Sequence, residues 1–357
     1  MKIPEPNHSI QALIDKHHES LAEPPRPHMG CSQLGHPCDR WLWLSFRWAV
    51  QPKFPGRILR LFRRGQMEEA TIVDDLRAIG MDVRTSRKQE RVDFGAHVSG
   101  SIDAIIESGV PESPKNRHIA EFKTHNLKSF NDLEKNGVNK SKPEHFVQMQ
   151  IYMHGTKIDQ ALYVAVCKDD DRIYTERVLY NKELAEKFIA RGRRLALEDR
   201  MPPPISTDPS WYQCKLCDAY EFCHETKTTK HVNCRTCAHS TANVDSTWSC
   251  ERHEDDCDRD EDDLDLFELF EIPVEVQRHG CESHVLHPDL VPWELKDGPD
   301  EWTAVYVING KDVANGDPEI DGVFSSRELL ANAAACADKG WTQLHDMRKQ
   351  FCGRFVG

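Results

Sequence analysis

The chain has 357 residues, enough for two or more domains with a sizeable core. Its formal charge is −13, which by itself argues against a nucleic-acid partner. However, residues 1–225 hold 33 basic and 32 acidic groups, whereas residues 226–357 hold 13 and 27, so the acidity is local. No run of about 18 apolar residues predicts a membrane span, and MKIPEPNHSIQALIDKHHES has Pro and charge where a signal peptide needs an apolar stretch, which predicts a cytoplasmic chain.

In chain order, a helix is expected over Ile10–Ala22, then the Pro-rich break EPPRPHMG and the aromatic segment DRWLWLSFRWA. A long amphipathic helix over Arg57–Ile79 stops at Gly80. Extended segments follow near Asp82–Val92, His97–Glu107 and His118–Thr124. Helices over Leu127–Lys135 and Pro143–Gly155 lead to strands Ala161–Cys167 and Arg172–Leu179. The helix Lys182–Glu198 and the turn-rich MPPPISTDPS close a mixed α/β domain over 1–225. Residues 226–296 hold a cysteine module with an acidic loop. Residues 297–357 read as a small α+β segment with a helix over Ser326–Lys339.

GSIDAIIES followed by HIAEFKTHN is the stretch richest in chemistry. Asp103 is expected on one strand, and Glu121 and Lys123 on the same face of the next, with Phe122 opposite. If the strands pair, two carboxylates meet beside an ammonium. That set can hold Mg²⁺ or Mn²⁺ through oxygen and stabilise charge on a phosphodiester. In HFVQMQIYMHG, Gln148 and Tyr152 fall four apart, on one helix face. On the helix Arg57–Ile79, Glu69 lies in the apolar stripe of Phe62, Ile72, Val73 and Leu76, where a carboxylate needs a cation. Glu69 is the candidate third acid, with Glu68 next to it as the alternative.

A helix glutamate, G-x-x-D, E-x-K and Q-x-x-x-Y in this order resemble the PD-(D/E)xK nuclease superfamily, and more narrowly the RecB-type exonuclease domain and its phage relatives. The resemblance covers residues 30–225 and implies a mixed central sheet flanked by helices. It also implies a Mg²⁺- or Mn²⁺-dependent DNA exonuclease, of phage or prophage origin, acting 5′ to 3′ in recombination or end processing. A structure-specific endonuclease or a non-catalytic DNA- or protein-binding module are the alternatives. By resemblance Asp103, Glu121 and the Phe122 carbonyl are metal ligands, Lys123 is the catalytic lysine, and Gln148 and Tyr152 organise the site. Many relatives have a histidine on the first helix, where this chain has Gln66-Met67-Glu68-Glu69.

The chain has 13 cysteines, and in a reducing compartment C-x2-C spacings point to metal. Cys214-x2-Cys217-x5-Cys223 supplies three thiolates and needs a fourth, for which Cys38 is the natural donor and Cys31 the rival. The pattern resembles that of AddB-type and CRISPR-adaptation nucleases, which implies a [4Fe–4S] cluster; zinc in the same thiolates is the other reading. Cys234-x2-Cys237-x12-Cys250 reads as a zinc knuckle, with His253 or Cys281 as the fourth ligand.

The acidic tract 254–268 is a solvated loop or a protein-docking segment. Candidate DNA contacts are RILRLFRR at 57–64, Arg84, Arg87, Lys88, Arg91 and RGRR at 191–194. Arg40, Trp41, Trp43, Phe46, Arg47 and Trp48 could stack on unpaired bases, although alternating tryptophans more often fill core.

Overall fold

The computed structural model describes residues 9–85, 90–251, 270–300 and 303–351. The elements begin with α1 (Ile10–Ser20), β1 (Met29–Gly30), α2 (Asp39–Phe46), α3 (Gly56–Ala78), β2 (Asp82–Arg84) and β3 (Arg91–Asp93). They continue with β4 (Val98–Ser101), β5 (Ala104–Ser108), β6 (His118–His125), α4 (Leu127–Ser141), α5 (Pro143–Thr156), β7 (Gln160–Cys167) and β8 (Ile173–Leu179). Next come α6 (Lys182–Leu197), α7 (Tyr212–Lys215), β9 (Ser240–Ala242), β10 (Trp248–Cys250), β11 (Phe270–Glu271) and α8 (Val274–Gln277). The chain ends with β12 (Glu294–Asp297), β13 (Thr303–Ile308), β14 (Lys311–Gly316), β15 (Val323–Phe324) and α9 (Ser326–Phe351).

Two units emerge, one from 1–37 with 52–194 and the other from 38–51 with 195–357. The first is a mixed α/β body. Its five-stranded sheet runs β2-β5-β6-β7-β8, with β6 and β7 parallel and the other neighbours antiparallel. A parallel pair needs a crossover, and α4 and α5 provide it. The apolar sequence QALYVAVC makes β7 a central strand, buried at all eight positions. From α3, Ile72, Val73 and Leu76 pack with Ile106, Phe122 and Val164 of the sheet. Helix α5 is buried continuously from Val147 to Met153, as expected of a helix enclosed on all sides.

The region 82–107 departs from the sequence expectation. The first extended segment divides into β2 and β3, and the second into β4 and β5. β3 and β4 join β1 in a separate three-stranded sheet, whereas β2 and β5 belong to the central one. Helix α4 runs past Lys135 to Ser141, with Gly137 at φ 72° kinking it, a conformation glycine adopts without strain. Gly100 has a different reason to be glycine. A Cβ built there would stand 2.8 Å from Cys31 Cβ and 2.8 Å from the Tyr152 hydroxyl. Gly100→Ala is therefore expected to destabilise the chain by about 1–3 kcal/mol, as overpacking does, read as a fall in the urea midpoint at unchanged m-value.

In the second unit, Trp43, Leu44 and Ala49 form one apolar cluster with Ala219, Phe222 and Leu290. The Arg47 guanidinium lies over Trp43 and Trp248 at 4.7 and 5.6 Å, and that of Arg235 over Trp48 at 3.8 Å. Trp43, Trp48 and Arg47 are at most 2% exposed, so the aromatic segment fills core rather than offering stacking platforms for bases. The partners are distant in the chain: Trp43 turns inward from α2, and its Nε1 donates to Glu198 O at 2.7 Å. A four-stranded sheet, β12-β13-β14-β15, packs its Tyr306, Ile308, Val313 and Phe324 with Leu329 of α9. Among the described residues no helix is long and apolar enough to cross a membrane.

Candidate active site

The site belongs to the first unit. In the antiparallel β5–β6 pair Ala104 faces Ala120, which brings the preceding Asp103 alongside Glu121. Asp103 lies in the bend between β4 and β5, not within a strand as the sequence suggested. The chain leaves one sheet for the other at that point, and the bend turns the carboxylate toward β6. Asp103 Oδ2 accepts the Phe122 N–H at 3.2 Å and is 3.9 Å from Lys123 Nζ. Lys123 also pairs with Glu121 and donates to the Phe122 carbonyl at 3.0 Å. From α5, Gln148 Nε2 donates to Glu121 Oε2 at 3.0 Å, and the Tyr152 phenol is hydrogen-bonded to Gln148. Phe122 turns into the core on the opposite face.

The charges do not balance. Burial pushes the Glu121 carboxyl up to about 8; Lys123 opposes the rise and Asp103 adds to it. Burial also drives Glu69 up to about 7, with Asp103 adding and Lys123 opposing. Burial works to lower Lys123, but Glu121 and Asp103 outweigh it and hold the ammonium above its ordinary value. Three carboxylates thus share one partly exposed lysine. Glu68, the alternative third acid, lines a notch with Arg64, Gly65, Thr124 and Lys168 instead. An all-oxygen donor set of Asp103, Glu121 and the Phe122 carbonyl, short of positive charge, fits a hard divalent cation. Among the described residues, no three His, Cys, Asp or Glu side chains are already drawn up around a metal position. Lys123 occupies the Glu121 and Phe122 oxygens.

Both thiol groups lie in the second unit. Cys38 stands at the N-cap of α2, Cys214 in α7, Cys217 just after it, and Cys223 in the π-turn Phe222–Thr226. Cys217 and Cys223 pack on the Trp43–Phe222 cluster. Burial raises the Cys214, Cys217 and Cys223 thiols, and Cys38 raises all three further. The Ala219 N–H donates to Cys217 Sγ and the Arg40 guanidinium to Cys223 Sγ. Cys31, the rival donor, is buried in the first unit beside Gly100.

In the second group, Gly280 N–H donates to Cys234 Sγ, and His239 and Val285 N–H to Cys237 Sγ. Burial pushes both thiols up to about 12, with Cys281 and Cys250 contributing as neighbours. His253 and the tract 254–268 lie outside the described residues. His284, in GCESH, turns inward to Ser326 Oγ at 2.8 Å and Asn233 O at 3.1 Å.

At least five of the nine described basic residues proposed as contacts are engaged within the chain. Arg84 pairs with Glu90 and Glu107, Arg91 with Ser99, and Arg60 with Asp15. Arg191 and Arg193 donate to the Leu34 and Phe94 carbonyls. Arg63 and Arg64 are exposed, whereas Arg87 and Lys88 lie outside the described residues. A cluster that sequence reasoning missed, His125, His145 and Tyr163, lies within electrostatic reach of Lys123 or Glu121. Its signal was present: His125 shares the face of Lys123 on β6, and His145 precedes Gln148 by three on α5.

No family model matches the chain, nor does any curated protein. Among solved structures it is similar to SSO0001, with 15% identity over 60% of this chain and 95% of that one and a TM-score of 0.39. It is also similar to an alkaline exonuclease (LHK-Exo) from Laribacter hongkongensis, with 17% identity over 50% of this chain and 90% of that one and a TM-score of 0.33. A phage related exonuclease from Haemophilus somnus 129PT shows 18% identity over 50% of this chain and 96% of that one, with a TM-score of 0.34.

Proposed function

We infer that the chain is a divalent-metal-dependent deoxyribonuclease of the PD-(D/E)xK kind, acting on DNA ends. The observation that carries this reading is the placement of Asp103, Glu121 and Lys123 within one hydrogen-bonded group, with Gln148 on the buried carboxylate and Glu69 in electrostatic reach. Asp103, Glu121 and the Phe122 carbonyl would hold Mg²⁺ or Mn²⁺, which supplies water activation and charge neutralisation on the phosphodiester. Lys123 swings from Glu121 to the phosphate and stabilises its developing negative charge. Gln148 fixes the Glu121 carboxylate, and Tyr152 fixes Gln148. Glu69 is the third acid. Two carboxylates raised by burial beside a single lysine, gathered in one hydrogen-bonded group, support this reading. By the resemblance stated above, the enzyme is an exonuclease, 5′ to 3′, of phage or prophage origin, working in the cytoplasm on recombination or end processing.

End-labelled linear duplex and covalently closed circular DNA, each with Mn²⁺, test this directly. Loss of label with intact circles is expected. Cut circles would favour the endonuclease, and neither product the binding module.

The two thiol groups complete the reading. Cys38, Cys214, Cys217 and Cys223 would carry a [4Fe–4S] cluster, and Cys234, Cys237, Cys250 and Cys281 a structural zinc. Cys281 is a neighbour of Cys234 and Cys237, and His253 stays the alternative fourth zinc ligand. Cys250→Ala is expected to reduce bound zinc from about one ion per chain to near none, as counted by mass spectrometry; retained zinc would dismiss this ligand set. The tract 254–268 would offer a protein partner its acidic surface.

A further inference from the structure

Three side chains beside the carboxylates have no role in the scheme above. Tyr163 stands directly across from Glu121 in the parallel β6–β7 pair, so the two share one face of the sheet with Lys123 and His125. Helix α5 covers that face at His145 and Gln148. The Tyr163 hydroxyl is 2.9 Å from His125 Nε2 and 2.9 Å from His145 Nδ1. His125 Nδ1 in turn meets Ser129 Oγ at 3.3 Å, and the two imidazoles stack with centroids 5.9 Å apart.

A phenol has one proton. Between two ring nitrogens it donates to one and accepts from the other, so one histidine presents an N–H and the other a lone pair. Two imidazolium rings would leave the phenol proton without an acceptor. The surroundings agree: burial, then Lys142 and Lys123, push His125 down to about 4, and burial, then Lys123, push His145 down to about 3.

The start of α5 shows what the bridge holds. A single residue, Lys142, joins α4 to α5, and no side chain caps the new helix. The His145–Tyr163 bond ties the first turn of α5 to β7, and three residues on, Gln148 donates to Glu121 Oε2. We propose that His125 and His145, joined through the Tyr163 hydroxyl, are positioning residues that set the place of the Glu121 carboxylate by way of Gln148. The inference rests on the reading of Glu121 as a metal ligand.

Tyr163→Phe removes the hydroxyl and keeps the ring. Mn²⁺ binding, measured by titration calorimetry without DNA, is expected to weaken roughly tenfold, as for other partners that orient a ligand. In turnover, kcat falls while KM for DNA holds. His145→Asn, whose amide reaches the Nδ1 place, recovers most of the affinity, whereas His145→Leu does not. Unchanged Mn²⁺ affinity in both Tyr163→Phe and His145→Leu would overturn the inference. In wild type, ¹⁵N shifts should report two neutral imidazoles, one protonated and one bare at the nitrogen facing Tyr163. Because His125 meets the phenol through Nε2 and His145 through Nδ1, this requires the same tautomer in both rings. Unlike tautomers, one Nδ1–H and one Nε2–H, or an imidazolium at neutral pH would overturn it as well, whether or not the variants fold. Wild type that binds Mn²⁺ but cuts no DNA defeats the nuclease reading alone; wild type that binds no Mn²⁺ defeats both.

Discussion

Lys123→Ala is expected to lower kcat on linear DNA by about 10²–10³-fold, the usual effect of removing one preorganised charge from a transition state. The loss should be in kcat rather than in DNA binding, because a single, mostly buried ammonium is a small part of a phosphate-contacting surface. Lys123→Arg should not rescue it. The ammonium sits between Asp103, Glu121 and the Phe122 carbonyl, and a planar guanidinium cannot take a compact position among three oxygens. The alanine variant also leaves the fully buried Glu121 with Gln148 as its remaining side-chain donor, so its thermal midpoint should fall. Rates are therefore to be compared at a temperature where both proteins are folded. A kcat within threefold of wild type would remove Lys123 from the chemistry.

Cys38→Ala carries the second large expectation. Cys38 precedes α2 as its N-cap and its three companions lie within 214–223, so a shared cluster would close a loop of about 180 residues. By analogy with a crosslink, that closure is worth on the order of 4–5 kcal/mol of denatured-state entropy. The variant should therefore lose its iron, with absorbance near 400 nm disappearing in an anaerobic preparation, and unfold at markedly lower denaturant. Cys31→Ala should keep the iron, because Cys31 is fully buried against Gly100. Iron content unchanged by Cys38→Ala, or a colourless zinc-loaded wild type, would contradict the iron–sulfur assignment.

Periodicity carried most of the first unit. The apolar stripe of α3, the unbroken apolar run of β7 and the Gln148–Tyr152 spacing on α5 are short-range patterns that survive folding unchanged. The bend at Asp103 was not legible, because a switch between sheets depends on which strands pair, and VSGSIDAIIES contains no turn residue that demands it. The tryptophans stayed ambiguous between core and stacking surface for a related reason. Alternating Trp, Arg and Phe suit a stacking surface or an arginine-laced core equally well, and the deciding partners, Trp248 and Arg235, are about 200 residues away. Likewise, the Tyr163 bridge joins three elements whose spacing in the chain gives no hint of contact. The division into units followed the same logic, since residues 38–51 group with the cysteine-bearing half rather than with their sequence neighbours.

The central claim is that Asp103 and Glu121 hold a divalent cation against a phosphodiester, and Asp103→Asn tests it most directly. The amide keeps an oxygen for the Phe122 N–H and removes only the charge, so the fold should stand. Mn²⁺-dependent release of end label from linear duplex, with Mn²⁺ binding measured alongside, is the decisive measurement. Wild type should bind the ion and release label, and Asp103→Asn should lose about a hundredfold or more in both. Release by Asp103→Asn at the wild-type rate, or a wild type inert in Mn²⁺ and Mg²⁺ alike, would contradict the account.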